Sequence, residues 1–220
     1  MSLVKSMMVC SIVITVFAAA SSCKKEKYTS RDTSSLVAPP VVPETPVDPT
    51  LVVFDNADVK DGWQTVGDPF IETTGAKEGK GYIKNTIADG GDFMQFIKHR
   101  AVPLDSKLTN ANGQFSFWWY ISDVSALKED GQIEITSGGD ADKEEYGWSV
   151  AKLLPSLKNG WNEVKLNLKD ADLSGTPNPA ALNFFRVFFF TKTATHSAVI
   201  TGVDGLVLRA MPTAAKTNNH

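Results

Sequence analysis

Gln114-Phe115-Ser116-Phe117-Trp118-Trp119-Tyr120-Ile121-Ser122 reads as a β-strand with two unlike faces. Side chains alternate across a strand, so Phe115, Phe117, Trp119 and Ile121 share one side and form a core face. The other side carries Ser116, Trp118, Tyr120 and Ser122. It is polar apart from two large rings, and each ring has a polar handle. Phe184–Thr191 repeats the pattern, with Phe185, Val187 and Phe189 against Phe184, Arg186, Phe188 and Phe190. An arginine among phenylalanines needs a carboxylate partner or an open surface. Gln132–Thr136 sends Ile133 and Ile135 inward and leaves Gln132, Glu134 and Thr136 opposite.

Outward from these three segments the chain continues as short β-type runs with no amphipathic helix. Expected strands are Leu51–Phe54, Pro69–Glu72, Gly81–Thr86, Phe93–Ala101, Tyr146–Leu153, Asn162–Leu168, Ser197–Ile200 and Val203–Arg209. Turn-forming pairs and triplets separate them, among them Asp61-Gly62, Asp89-Gly90-Gly91, Asn112-Gly113, Asp130-Gly131 and Asn159-Gly160. Many strands at regular spacing predict an all-β fold, an antiparallel β-sandwich over residues 51–212. Residues 213–220 form a polar tail. If the three central strands lie in one sheet, their outer faces gather Trp118, Tyr120, Glu134, Arg186 and Phe188. Flat rings stack on the C–H faces of a sugar and charged groups fork to hydroxyl pairs, so this set suits a carbohydrate. Trp148 and the 137–146 loop are second choices for ligand contact. The competing reading is a buried structural Arg186–Glu134 pair beneath a covering loop.

The N-terminus says where the protein works. Lys5, the apolar run Met7–Ala20 and the small residues Ala20-Ser21-Ser22 have the order of a bacterial export signal over residues 1–22. The run is too short for a permanent membrane span. Cys23 directly after small residues resembles the lipobox of bacterial lipoproteins, with Ala20 where leucine is usual. The resemblance implies cleavage before Cys23 and lipidation of it; an ordinary secretory signal with an incidental cysteine is the alternative. Each acyl chain would add about 0.8 kcal/mol per buried CH₂, enough for a stable anchor when several are attached. The other cysteine, Cys10, falls inside the signal, so no intramolecular disulfide remains after cleavage. Loss of Lys5 leaves the remainder one unit more acidic than the whole chain's formal charge of −3, with no footprint for nucleic acid. Residues 23–50 hold Pro39, Pro40, Pro43, Pro46 and Pro49 and form a semi-extended tether.

Gly160-Trp161-Asn162-Glu163-Val164-Lys165-Leu166-Asn167-Leu168, the run Leu182–Phe190 and Val203-Asp204-Gly205-Leu206-Val207-Leu208 together resemble galactose-binding-like jelly rolls. Carbohydrate-binding modules and many Bacteroidota surface lipoproteins share that shape. The resemblance implies a jelly-roll sandwich and, as modules of this kind often have, a structural calcium between the first and last strands, for which Asp55 and Asp204 are the acidic residues in place. Outer-surface lipoproteins of that group often carry acidic residues after the lipidated cysteine. Here Lys24-Lys25-Glu26 is mainly basic, leaving the cell surface and the periplasmic face of the outer membrane both open.

Catalytic signatures are mostly missing. The jelly-roll glucanases place Glu-x-Asp-x-x-Glu on one strand, whereas Glu134 has no carboxylate two residues on. Gln95, His99 and Arg100 have the composition of a lyase site but not its order. Gly-x-Ser-x-Gly, zinc spacings and phosphate loops are absent. Asp140, Asp142, Glu144 and Glu145 alternate on one loop and could offer oxygens to calcium, without EF-hand spacing. The expectation is a membrane-anchored lipoprotein that binds polysaccharide or oligosaccharide without chemistry, beside glycan-degrading or transport proteins. A lyase or hydrolase on the same fold, and an adhesive lipoprotein that binds protein, are the alternatives.

Overall fold

The structure, a computed structural model, describes residues 48–192 and 196–211. The expected signal, Cys23, the tether up to residue 47 and the polar tail lie outside the described residues. The first half of the domain contributes β1 (Val52–Asp55), β2 (Trp63–Thr65), β3 (Phe70–Glu72), β4 (Tyr82–Ile87), β5 (Phe93–Leu104) and β6 (Gly113–Ile121). The second half contributes β7 (Leu127–Thr136), β8 (Glu145–Ser149), β9 (Gly160–Asn167), β10 (Asp172–Ser174), β11 (Leu182–Thr191) and β12 (Val199–Ala210).

Two antiparallel sheets stack face to face as a jelly-roll β-sandwich. The first runs β3-β4-β12-β6-β9, with β1 also on β12; the second runs β10-β8-β7-β11-β5-β2. Their inner faces hold the alternate apolar residues read from the sequence. Phe115, Phe117, Trp119 and Ile121 of β6 are buried, as are Phe185, Val187 and Phe189 of β11. These rings meet across the sandwich. Phe185 lies 5.4 Å from Phe117 and 5.7 Å from Phe115, and Phe189 lies 5.1 Å from Trp119. The edge-to-face angle at Phe117 and Phe189 suits the ring quadrupoles. Trp119 keeps its indole N–H satisfied by donating to Thr201 Oγ1 at 3.2 Å.

Several boundaries differ from expectation for local reasons. The segment Tyr146–Leu153 is a strand only to Ser149; Val150–Leu153 forms the short helix α1. Ser197–Ile200 and Val203–Arg209 are one strand, β12, because the chain stays paired with β6 and β4 through Thr201 and Gly202. Asp130-Gly131 is not a turn but lies inside β7, opposite Phe189 where the β7–β11 register shifts. Gly131 has φ +126°, and a Cβ there would sit 2.3 Å from the Phe188 carbonyl oxygen, so only glycine fits. The strands β2 and β10 were not foreseen. They are three residues each and show too little alternation to read.

Removing the Phe185 ring should cost about 3–5 kcal/mol, since its neighbours in the other sheet cannot close the void. Chemical denaturation of Phe185→Ala should show that loss without a change in far-ultraviolet circular dichroism at low denaturant.

Candidate functional site

Because the core rings of β6 and β11 face each other, their alternate residues face away from each other. Trp118 and Tyr120 stand on the outer face of the first sheet, and Arg186 and Phe188 on the outer face of the second. The expected cluster of Trp118, Tyr120, Glu134 and Arg186 on one face therefore does not form. It requires β6, β7 and β11 in one sheet, and β6 belongs to the other.

On the second sheet, β7 and β11 pair with Arg186 opposite Glu134. Arg186 donates from Nε to Glu134 Oε2 at 2.9 Å and from Nη2 to Glu134 Oε1 at 2.5 Å, a bidentate fork. Glu134 is 0% exposed and spends both oxygens on this pair, so the structural-pair reading holds for it. The 137–146 loop covers the spot. Asp142 reaches Arg186 at 3.7 Å, and Glu145 accepts from the Asp142 amide and from Gln132 Nε2. Burial pushes the Glu134 carboxyl up to about 7, opposed by Arg186 and reinforced by Glu145 and Asp142. Arg186 also lies 4.6 Å from the Phe188 ring, whose edge meets Phe190. Gln95 and His99 share this outer face, while Arg100 turns the other way and donates to the Phe54 carbonyl. The lyase-like trio does not converge.

Trp148 is a core residue, not a ligand contact. It pairs opposite Ile133, is buried, stacks with Tyr146 and donates to the Asn167 carbonyl at 3.3 Å. Each expected calcium ligand already has partners within the protein. Asp55 already faces Lys98 at 2.7 Å and accepts from the Trp63 indole at 3.0 Å. Asp204 accepts the Lys77 and Glu78 amides at 2.6 and 3.0 Å. Among the described residues, the group of acidic side chains close enough to share an ion is Glu134, Asp142 and Glu145, where Arg186 already supplies the cation.

The outer face of the first sheet is different. Trp118 lies between two adjoining cavities, one of about 400 Å³ and one of about 530 Å³, which share Trp118 and Glu163 in their walls. The first is lined by Ser116, Glu78, Val207 and Arg209, and runs along β1, β12 and β6. The second lies between β9 and residues 153–158, lined by Trp161, Lys158 and Lys165. Together they make one groove across the sheet. The Trp118 indole N–H has no protein acceptor among the described residues.

A strap, the 73–81 connection between β3 and β4, crosses this face. Asp204 holds the Lys77 and Glu78 amides, Asp58 Oδ1 accepts from the Gly81 amide at 2.8 Å, and the Trp161 indole donates to the Gly75 carbonyl at 3.0 Å. The Lys77 ammonium sits 4.9 Å from the Trp118 ring. A bulge in β12 at Gly205 lets the strap pass: its φ is +54°, and a Cβ there would meet Glu78 Cγ at 2.6 Å. Tyr120 and Tyr82 pack edge-on against Trp161 at 5.3 and 4.9 Å. Burial raises the pKa of Asp204, and the strap amides pull it back.

Of the residues on this face the sequence singles out Trp118 and Tyr120, and of these only Trp118 lines the cavities; Trp161, Glu163, Lys77 and Arg209 were not among the expected contacts. Trp161 and Glu163 alternate outward along Gly160–Asn167, so their direction was readable. That β9 pairs with β6 was not.

No protein-family model matches the chain, and no curated protein matches it. Among solved structures it is similar to the family 11 carbohydrate-binding module of the cellulosomal cellulase Lic26A-Cel5E of Clostridium thermocellum. Identity is 12%, TM-score 0.48, and the match covers 75% of this chain and 97% of that one. A family 30 carbohydrate-binding module matches at 12% identity and TM-score 0.45, over 77% of this chain and 88% of that one. A structure described for the promiscuous specificity of carbohydrate-binding modules of the β-sandwich superfamily matches at 16% identity and TM-score 0.44. There the match covers 70% of this chain and 59% of that one.

Glu134 has a folded pKa above its ordinary 4.5, so its contribution to stability is full below about 4.5 and is lost as pH rises through about 7. Urea midpoints of the wild type and Glu134→Gln from pH 4.5 to 8 should converge or cross in that direction. A wild-type advantage that grows with pH would contradict the raised value.

Proposed function

We propose that this domain binds a polysaccharide or oligosaccharide, without chemistry, in the groove on the outer face of the first sheet. One observation carries the reading: a tryptophan with an unused indole N–H stands between two adjoining cavities whose walls mix apolar side chains such as Val207, Leu157 and Trp161 with charged and hydroxyl groups such as Glu78, Glu163, Lys165, Arg209 and Ser116. A sugar ring offers an apolar face to Trp118 and hydroxyls to Ser116, Glu163 and Lys165. Lys77 shields the ring in the unliganded state and is displaced on binding. The groove, rather than likeness to other folds, supports this reading.

The chain is anchored through lipid on Cys23 at the outer membrane, on the surface or the periplasmic face, and presents glycan to neighbouring degrading or transport proteins. The lipobox-like order of Ala20-Ser21-Ser22-Cys23 supports the anchor. Cells fed a labelled fatty acid should label the wild-type chain and leave Cys23→Ala unlabelled; label on the variant would refute the anchor at that residue.

A second location has its own support. Phe188 and Phe190 are half-buried on the outer face of the second sheet, with Arg186 stacked on Phe188. The two are separated by mutation against a polysaccharide panel, reading retention and product release together. Trp118→Ala should weaken glycan binding roughly tenfold or more while changing stability by less than about 1 kcal/mol, as expected for a part-exposed ring. Loss with Phe188→Ala instead would move the site to the other face. Release of reducing-end or unsaturated products would replace binding with catalysis, and silence in both channels would favour a protein partner.

A further inference from the structure

The cavity beside β12 has an unusual charge at one end. Arg209 lines it, yet among the described residues its guanidinium makes one weak side-chain hydrogen bond, from Nη2 to Ser116 Oγ at 3.4 Å. Its Nε is buried without a partner. No carboxylate among the described residues lies within ion-pair distance of it. Asp48, held below the usual carboxylate range by the Thr50 hydroxyl and amide and, last, by the charge of Arg209, already spends Oδ1 on both Thr50 groups. A guanidinium carries five N–H donors matched to a planar acid group, and one left this idle on a cavity wall is set for an anion.

The carboxylates in and beneath this cavity do not fill that role. Glu78 belongs to the strap above Gly205, and Asp204 lies beneath it with Oδ1 unpartnered. Asp204 pairs opposite Trp118 and Arg209 opposite Gln114. Four residues of β6 separate those positions, roughly 14 Å at the usual rise. The cavity is thus acidic and aromatic at one end and basic at the other. Glu163, on the shared wall, is occupied by Lys165 at 2.9 Å.

We infer that the groove selects an acidic glycan, with a sugar ring against Trp118 and a carboxylate or sulfate substituent on Arg209. This rests on the groove being the glycan site. The length of the cavity asks for more than one sugar unit, with hydroxyls toward Glu78 and the acid group toward Arg209. A neutral glycan would leave the guanidinium as it stands. The net negative charge of the chain makes acid recognition a local property, since the protein as a whole repels polyanions.

The full chain in detergent would be titrated with polygalacturonate, dextran sulfate and a neutral mixed-linked glucan of matched length, at two salt concentrations. At least one acidic polymer should bind about tenfold tighter than the neutral one, and that advantage should shrink with salt. The preferred polymer tells carboxylate from sulfate. Arg209→Gln should remove the advantage, bringing acidic binding down to the neutral level, and Arg209→Lys should restore part of it; the wild-type salt response stands should the glutamine variant not fold. Equal binding of neutral and acidic polymers, or an acid preference untouched in Arg209→Gln, overturns the inference while leaving the groove reading intact. Failure of all three polymers to bind overturns both.

Discussion

The contact of Phe117 and Trp119 with Phe185 and Phe189 across the sandwich fixes nearly everything else. It buries the largest rings of two central strands against each other, each worth about 1.5–3 kcal/mol of apolar burial. It also sets direction. Strand alternation leaves no choice for the residues between them: once Phe117 and Phe185 point inward, Trp118 and Arg186 must point to opposite outer faces. The domain therefore has two separate decorated surfaces, and each must be judged alone.

Those surfaces solve different problems. The second sheet covers its polar centre with the 137–146 loop and closes Glu134 with a bidentate arginine, which completes the hydrogen bonding of a buried carboxylate. The first sheet is crossed by a strap that is tied down at three places but leaves room on both sides of Trp118. Asp204 is central to it. Buried beneath the strap, it accepts two strap amides with one oxygen and leaves the other without a partner. An arrangement that leaves a buried polar atom unmet is less rigid than one that satisfies every group. Lys77 of the strap lies over the Trp118 ring, so a ligand stacking on that face would have to displace it.

How much of this was legible in the sequence follows from period and from pairing. Period was readable: the inward sets of β6, β7 and β11 are those that alternation gives, and the sandwich class followed from spacing and turns. Pairing was not. Nothing in Gln114–Ser122 tells whether its neighbours are Gln132–Thr136 and Phe184–Thr191, or Gly160–Asn167 and Val199–Ala210, because all five have one apolar face. That single ambiguity merged two faces into one expected site. Trp148 failed for a related reason: alternation puts Tyr146 and Trp148 on one side of Glu145–Ser149, but it does not say whether that side faces the core. Lys77, Glu78 and Gly75 act through a loop whose path depends on the bulge at Gly205, and loop paths leave no periodic trace.

The five tryptophans offer the most direct test, because they divide by face. Trp63, Trp119 and Trp148 are buried with their indole N–H groups bonded within the protein, whereas Trp118 and Trp161 stand on the groove. Indole N–H resonances followed by nuclear magnetic resonance during titration with a bound glycan should move for Trp118 and Trp161 and stay fixed for the other three. Shifts confined to the Arg186 side-chain N–H, with all five indoles unmoved, would place the ligand on the opposite sheet and contradict the account.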